Sequence, residues 1–350
     1  MKSFNERLSH IEERLKNWWE FGEQEHPCIV VNALQNNHEP IPYTEDLAKF
    51  WSNVDFVIDR QMKIIDNTNY YCDAVPFHYV DFGASAMAGI LGAEMEYVNK
   101  EAVWPLSYIQ TIEEVLDVVI ERNSFTYRTI MEITRRSVNH SKEHHFVTPY
   151  ALGGPADNIA GIYGTQQFLM DMVQKPEKMK KSMEHMKKVW IEAFNEIIDV
   201  IKKSGNLGYC GWAEIWAPGT TFPIQEDFSY MISAEMFREF CIPHIADIAD
   251  AMEYPLYHLD GVTHHIDSLL ELEQLKVIQW DPGPGKEKLR LWYDFFKHIL
   301  SSGKSIQVYG MVEEIEELTS NIGSRGVLVI VNKATNIEAE MLMEKYKYNV

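Results

Sequence analysis

The chain has 350 residues, 46% of them apolar, and a formal net charge of −20. The apolar content supports a large core and excludes disorder as the main state. The charge argues against nucleic acid and anionic membrane surfaces, which are themselves polyanions, and leaves small molecules or a partner with a basic face.

The opening segment reads as an amphipathic helix, with Leu8, Ile11, Leu15 and Trp18 at three- and four-residue steps. HPCIVVNAL (26–34) is apolar and β-branched and reads as a buried strand. A helix is expected over 44–65 and a second strand over 71–77, followed by the Gly-rich loop DFGASAMAGILGAE. Residues 111–140 show a long helical pattern opened by Thr111, Glu113 and Glu114. HFVTPY (145–150) reads as a third strand running into the loop ALGGPADN, and helices are expected over 156–172 and 176–204.

The rest alternates regularly. Strand-like 207–211 precedes a long aromatic loop and a helix over 233–252. Strand-like segments at 254–260, 276–280, 304–310 and 326–332 are each followed by a helical pattern, at 264–272, 286–301, 312–319 and 335–346. The count is about eight short apolar strands, and parallel strands covered on both sides read as such runs. This predicts an α/β fold: a single (β/α)8 TIM barrel spanning 1–350, with residues 1–22 as an N-terminal helix packed on it. The alternative is a doubly wound open sheet. That fold is favoured by a Gly-rich turn after the first strand, and VNALQNNHEP has no glycine.

Cys28, Cys72, Cys210 and Cys241 form no CxxC pair and read as reduced, buried thiols. The N-terminus is charged throughout, and no run of about 18 apolar residues occurs. The expected location is therefore cytoplasmic. Both a monomer and a homodimer fit.

In a barrel the chemistry sits where strands end. His258 and Asp260 are two apart at the end of the fifth strand, so both side chains face one way. Such a pair binds a divalent metal, works as an acid–base couple, or is a buried histidine held by a structural carboxylate. His264 and His265 follow within a turn. His265 is the candidate third metal ligand, or both are solvated helix-start residues. Glu214 joins His258 and Asp260 in the candidate catalytic set. Asn32, Trp212, Trp216, Gln279, Trp280 and Tyr309 form the candidate substrate-binding set, with Asn332 ending the last strand. The loop 212–228 is long enough to be a functional lid, with Trp212, Trp216, Phe222 and Phe228 walling a pocket or packing over the mouth. Asp227 is its second acidic member after Glu214, an acid–base group or a loop anchor. GGP (153–155) and WDPGPG (280–285) are plain turns or anion-holding turns.

The run SAEMFREFCIPHIADIADAMEYPLYHLDG, followed by IQWDPGPG and a C-terminal βα pair, resembles the uroporphyrinogen decarboxylase superfamily. The resemblance is clearest over 145–332 and extends to DFGASAMAGILGAEMEYVNKEAVW. It implies a (β/α)8 barrel and one of two chemistries: cofactor-free decarboxylation of a tetrapyrrole, or zinc-assisted methyl transfer between a corrinoid protein and a thiol. The decarboxylase branch carries an Arg-containing N-terminal motif, and the matching VVNALQNNHEP has neither Arg nor Lys. The methyltransferase branch holds zinc with a His-x-Cys pair and a distant Cys. His258 matches the His, Asp260 stands in place of the first Cys, and GVLVIVNKATN contains no Cys.

The leading expectation is a methyltransferase-like enzyme moving a methyl group between a small methylated compound and a separate corrinoid protein. His258 and Asp260 would hold a divalent metal, zinc foremost, or polarise the substrate, and cobalamin would come only with the partner. The rivals are a metal-free decarboxylase or lyase for a small non-porphyrin acid, and a non-catalytic ligand-binding barrel.

Overall fold

A computed structural model describes residues 4–348. Its strands are β1 (Cys28–Leu34), β2 (Thr68–Cys72), β3 (Phe77–Tyr79), β4 (Met95–Tyr97), β5 (Val103–Pro105), β6 (Phe146–Thr148), β7 (Tyr209–Cys210), β8 (Trp216–Ala217), β9 (Pro223–Ile224), β10 (Leu256–Asp260), β11 (Val277–Asp281), β12 (Ser305–Gly310) and β13 (Val327–Val331). A seven-stranded sheet runs in the order β2-β1-β13-β12-β11-β10-β9. From β1 through to β9 every pairing is parallel, and β2 adds an antiparallel edge beside β1. β3 and β6 form a separate parallel pair, while β4–β5 and β7–β8 are antiparallel hairpins. The α/β architecture agrees with the sequence. Among the described residues the hydrogen-bonded ladder is an open sheet beside a second pair, not one continuous ring.

The strands separate two cores by simple alternation. Ile29, Val31, Tyr257, Leu259, Ile278, Trp280, Ile306, Val308, Val329 and Val331 point outward into the helical layer. Cys28, Val30, Leu256, Val277, Leu328 and Ile330 point inward. The opening helix Phe4–Trp19 covers this inner face at the strand starts with Leu8, Ile11, Leu15, Trp18 and Trp19. Ser305 Oγ donates to Trp18 O at 2.6 Å, which ties the helix end to β12. Each of β1, β10 and β11 begins apolar on its inner face and turns polar toward its C-terminal end: Asn32, His258 with Asp260, and Gln279 with Asp281.

Several expected helices are broken, each for a local reason. The 44–65 helix is split at Asn53, whose side chain accepts from Phe56 N at 3.0 Å and starts a new helix. The 111–140 pattern becomes a 3-10 turn, Ile112–Asp117, and a helix, Phe125–Ser141, capped by Ser124. Helices Pro155–Tyr163 and Thr165–Gln174 are separated by Gly164 at φ +101°, a conformation closed to other residues without strain. The second expected strand, 71–77, is instead the end of β2, a turn and the start of β3. The stretch read as a long lid contains β8, β9 and the start of the 3-10 turn Asp227–Met231, which tie it to the scaffold. Among the described residues no helix is long and apolar enough to cross a membrane.

Candidate functional site

His258 and Asp260 project from the inner face of β10, the alternation putting both side chains on one side. Gln279 is the register partner of His258 on β11, and the His258 Nδ1–H donates to Gln279 Oε1. That bond orients the ring and leaves Nε2 as the free nitrogen, the arrangement that supports a metal-binding histidine. Burial pushes the His258 pKa down, opposed by the Gln279 bond and the Asp260 charge, so the ring is neutral near pH 7. The Trp212 ring stands edge-on to it, with centroids 5.1 Å apart.

Asp227 completes the group. Asp227, His258 and Asp260 each offer one ligand atom, and all three atoms lie within 4.8 Å of one another. One imidazole nitrogen and two carboxylate oxygens match a divalent cation in number of charges and in donor type. No thiolate is in the set. The four cysteines are free and buried elsewhere. Burial, then the Asp260 charge, pushes the Asp227 carboxyl up to about 6. Its exposed side chain lets water moderate that push.

The position of Asp227 is set by a reciprocal clamp. Asp157 Oδ1 accepts from Phe228 N at 2.7 Å, and Oδ2 accepts from Gly154 N at 2.9 Å and Asp227 N at 3.2 Å. Glu226 Oε2 in turn accepts from Ala156 N at 3.0 Å, capping the helix that carries Asp157. Gly154 is required at the crossing, because a Cβ there would lie 2.1 Å from Gln225 O. Burial and the Asp227 charge raise Asp157 to about 7, and burial with the Asp157 charge raises Glu226 well above the usual range. A cavity of about 460 Å³ adjoins Asp227, lined in part by Ala88, Trp104, Gly161, Phe228 and Met231.

Asn32 and Glu214 form a second polar group. Asn32 Nδ2 donates to Glu214 Oε2 at 2.6 Å. Glu214 sits at φ +64°, a left-handed backbone that costs on the order of 1 kcal/mol for a non-glycine residue. Burial raises its carboxyl, the Asn32 bond opposing. The Glu214 charge is also felt at Tyr309, whose phenol burial pushes well up.

Other predicted site residues lie elsewhere. Trp216 is fully buried in the inner cluster at the strand starts, where its carbonyl accepts from Trp19 Nε1 at 3.0 Å. It plugs the end of the sheet away from His258. Trp280 points outward and packs on Trp292 and Phe295, with centroids 4.8 and 4.7 Å away, because it is one residue from inward-facing Gln279. His265 stacks on Phe237 at 4.1 Å, its Nε2 bonded to Ser229 O at 2.9 Å, and it is not in the three-residue group. Phe222 is a buried core residue, while Phe228, also buried, lines the cavity beside Asp227. The two turns offered to anions are filled by the chain's own carboxylates: Glu226 and Asp157 take Ala156 N and Gly154 N, while Asp281 Oδ1 accepts from Gly283 N at 2.9 Å.

Sequence reasoning missed Asp157 and Glu226. The helix-start signature Gly154-Pro155-x-Asp157 was available for Asp157, since Pro at the first position and a carboxylate at the third, placed to accept from the N-cap N–H, mark a helix start. Glu226 gave no local signal.

No family model matches the chain, and no curated protein matches it. Among solved structures it is similar to a methyltransferase from Methanosarcina mazei, at 10% identity and a TM-score of 0.60, over 99% of this chain and 98% of that one. The likeness extends over the whole fold.

Proposed function

We propose that the chain is a methyltransferase-like enzyme that moves a methyl group between a small methylated compound and a separate corrinoid protein. The observation that carries this reading is the convergence of Asp227, His258 and Asp260, with the imidazole oriented by Gln279. The fold likeness to a protein named a methyltransferase supports the reaction class. The sheet is read as part of a (β/α)8 barrel in which β3 and β6 bridge its two edges.

The three residues fit a divalent cation of the zinc class: two carboxylates balance its charge, and the His258 tautomer presents a bare nitrogen. Bound there, such an ion supplies Lewis acidity toward the atom that bears the methyl group. His258 and Asp260 hold position from a rigid strand, and Asp227 from a clamped turn. Trp212 shields the imidazole from water on one side. Glu214, with its raised carboxyl, is suited to hand a proton to the demethylated product.

A metal-free lyase for a small acid would use the same Glu214. Among the described residues the inner-face strand positions carry no Lys or Arg to receive a carboxylate substrate, which favours methyl transfer. The test incubates wild type, His258→Ala and Asp260→Ala with methylated alcohols, ethers, amines and thioethers and reduced free cobalamin, following the cobalamin absorbance. Methyl transfer by wild type and its loss in both variants is expected. Full activity in both variants would refute the site, and carbon dioxide release from a small acid without cobalamin would refute the reaction.

A further inference from the structure

We propose that the inner face beside His258 is a chamber for an uncharged small molecule that presents oxygen acceptors, so that the methylated compound is a neutral ether or alcohol. The inference rests on the methyl-transfer reading and names its substrate class. It starts from hydrogen-bond donors that the fold leaves without acceptors. Gln279 and Gln307 are fully buried, and Gln279 Nε2, Gln307 Nε2 and Trp212 Nε1 have no hydrogen-bond partner, nor has the acceptor Gln307 Oε1. Gln279 and Gln307 are register partners on β11 and β12, so their side chains lie side by side on the face that carries His258. Trp212 stands against His258 from the other side.

A buried donor without a partner costs about 1–3 kcal/mol, and native folds rarely keep several together. Three on the face that carries His258 point to a molecule that arrives with acceptors. The buried Asn32 Oδ1 is likewise unpaired and takes a hydroxyl donor from the same molecule.

Charge narrows the class further. Asp227, Asp260 and Asp281 lie around this face. Arg7 and Arg14 are engaged at the opposite end, Arg7 on Ala74 O and Arg14 on Asp73 and Tyr348. An anion is repelled. A quaternary ammonium is attracted by the carboxylates but leaves all three N–H donors unmet. A thioether sulfur is a weak acceptor. A neutral oxygen compound satisfies both constraints.

The test measures binding by calorimetry and ligand-observed NMR on the metal-free full chain, without a partner protein. The probes are 2-methoxyethanol, methoxyacetate, tetramethylammonium and dimethyl sulfide. Binding of 2-methoxyethanol about tenfold tighter than the other three is expected, with a loss of about tenfold in Gln307→Leu and in Trp212→Phe. Because Gln307→Leu removes an unpaired amide, the ligand-free variant should be at least as stable as wild type, which shows that the lost binding is not misfolding. Tighter binding of methoxyacetate or tetramethylammonium, unchanged affinity in both variants, or no binding by any probe up to its solubility limit overturns the chamber. Tight binding of the ether without demethylation would overturn the proposed reaction and leave the chamber standing. Methyl transfer from the ammonium alone would do the reverse.

Discussion

Replacing Gln279 by Leu removes the one acceptor of the His258 Nδ1–H. The imidazole then has a buried N–H with no partner in the Nδ1–H tautomer, worth about 1–3 kcal/mol. It relieves that cost by moving the proton to Nε2, which blocks the nitrogen left free in the wild type. Metal affinity should fall by about 10- to 100-fold, the usual effect of losing such a supporting partner. Global stability should change little, since Gln279 Nε2 is itself unpaired and Leu is of similar volume. Gln279→Glu keeps an acceptor of the same reach and should hold or raise the affinity. Zinc titration against a chromophoric chelator near pH 7.5, with urea unfolding in parallel, measures both quantities. Unchanged affinity in Gln279→Leu, or weaker binding in Gln279→Glu than in Gln279→Leu, would refute the oriented-tautomer argument.

Gly154→Ala forces a Cβ to within 2.1 Å of Gln225 O and 2.3 Å of Glu226 Cδ. It should destabilise the chain by about 1–3 kcal/mol and weaken zinc binding through Asp227, as read by unfolding and chelator competition. Trp216→Ala empties a fully buried site at the strand starts and should cost about 3–5 kcal/mol in a urea melt, with zinc affinity unaltered in the fraction that folds. A third expectation concerns pH. His78 Nδ1 bonds Ser137 Oγ at 2.7 Å, Ser137 Oγ bonds His145 Nε2 at 3.1 Å, and burial holds both histidines down at about 3. A lowered folded pKa means that the unfolded state takes up the proton first. Each histidine's contribution is therefore complete above its unfolded value of about 6.5 and falls by about 1.4 kcal/mol per pH unit below it. Raised carboxylates such as Asp157 slope the other way, so the difference between wild type and His78→Gln is the clean measure. That difference should move by about 2 kcal/mol in favour of the variant between about pH 6.5 and pH 5. A difference independent of pH would show that His78 is not buried neutral.

Much of the fold was legible because buried parallel strands declare themselves as apolar runs. VVNAL, LYHLD, VIQWD and VLVIV are all strands where the sequence put them. The same two-residue alternation that paired His258 with Asp260 also separates Gln279 from Trp280, and applied consistently it turns Trp280 outward. The helix breaks were less legible, because they depend on single caps such as Asn53 and Ser124 inside patterns that read as continuous. The 212–228 stretch was read as a lid from its length and aromatic content. Its path is decided by tertiary packing: β8 folds Trp216 against Trp19, and β9 joins the sheet beside β10. That path carries Asp227 to His258, across a separation of 31 residues that no spacing rule predicts. His265 was the nearer histidine in sequence, yet its ring is turned away to Phe237 and Ser229.

The most direct measurement is the metal content of protein purified without chelator or affinity-tag metal, wild type against Asp227→Asn/His258→Ala/Asp260→Asn. The account predicts about one divalent ion per wild-type chain, and none in the triple variant at equal fold content. A wild-type chain that carries no metal and takes none up on reconstitution, or a triple variant that keeps it, would contradict the account.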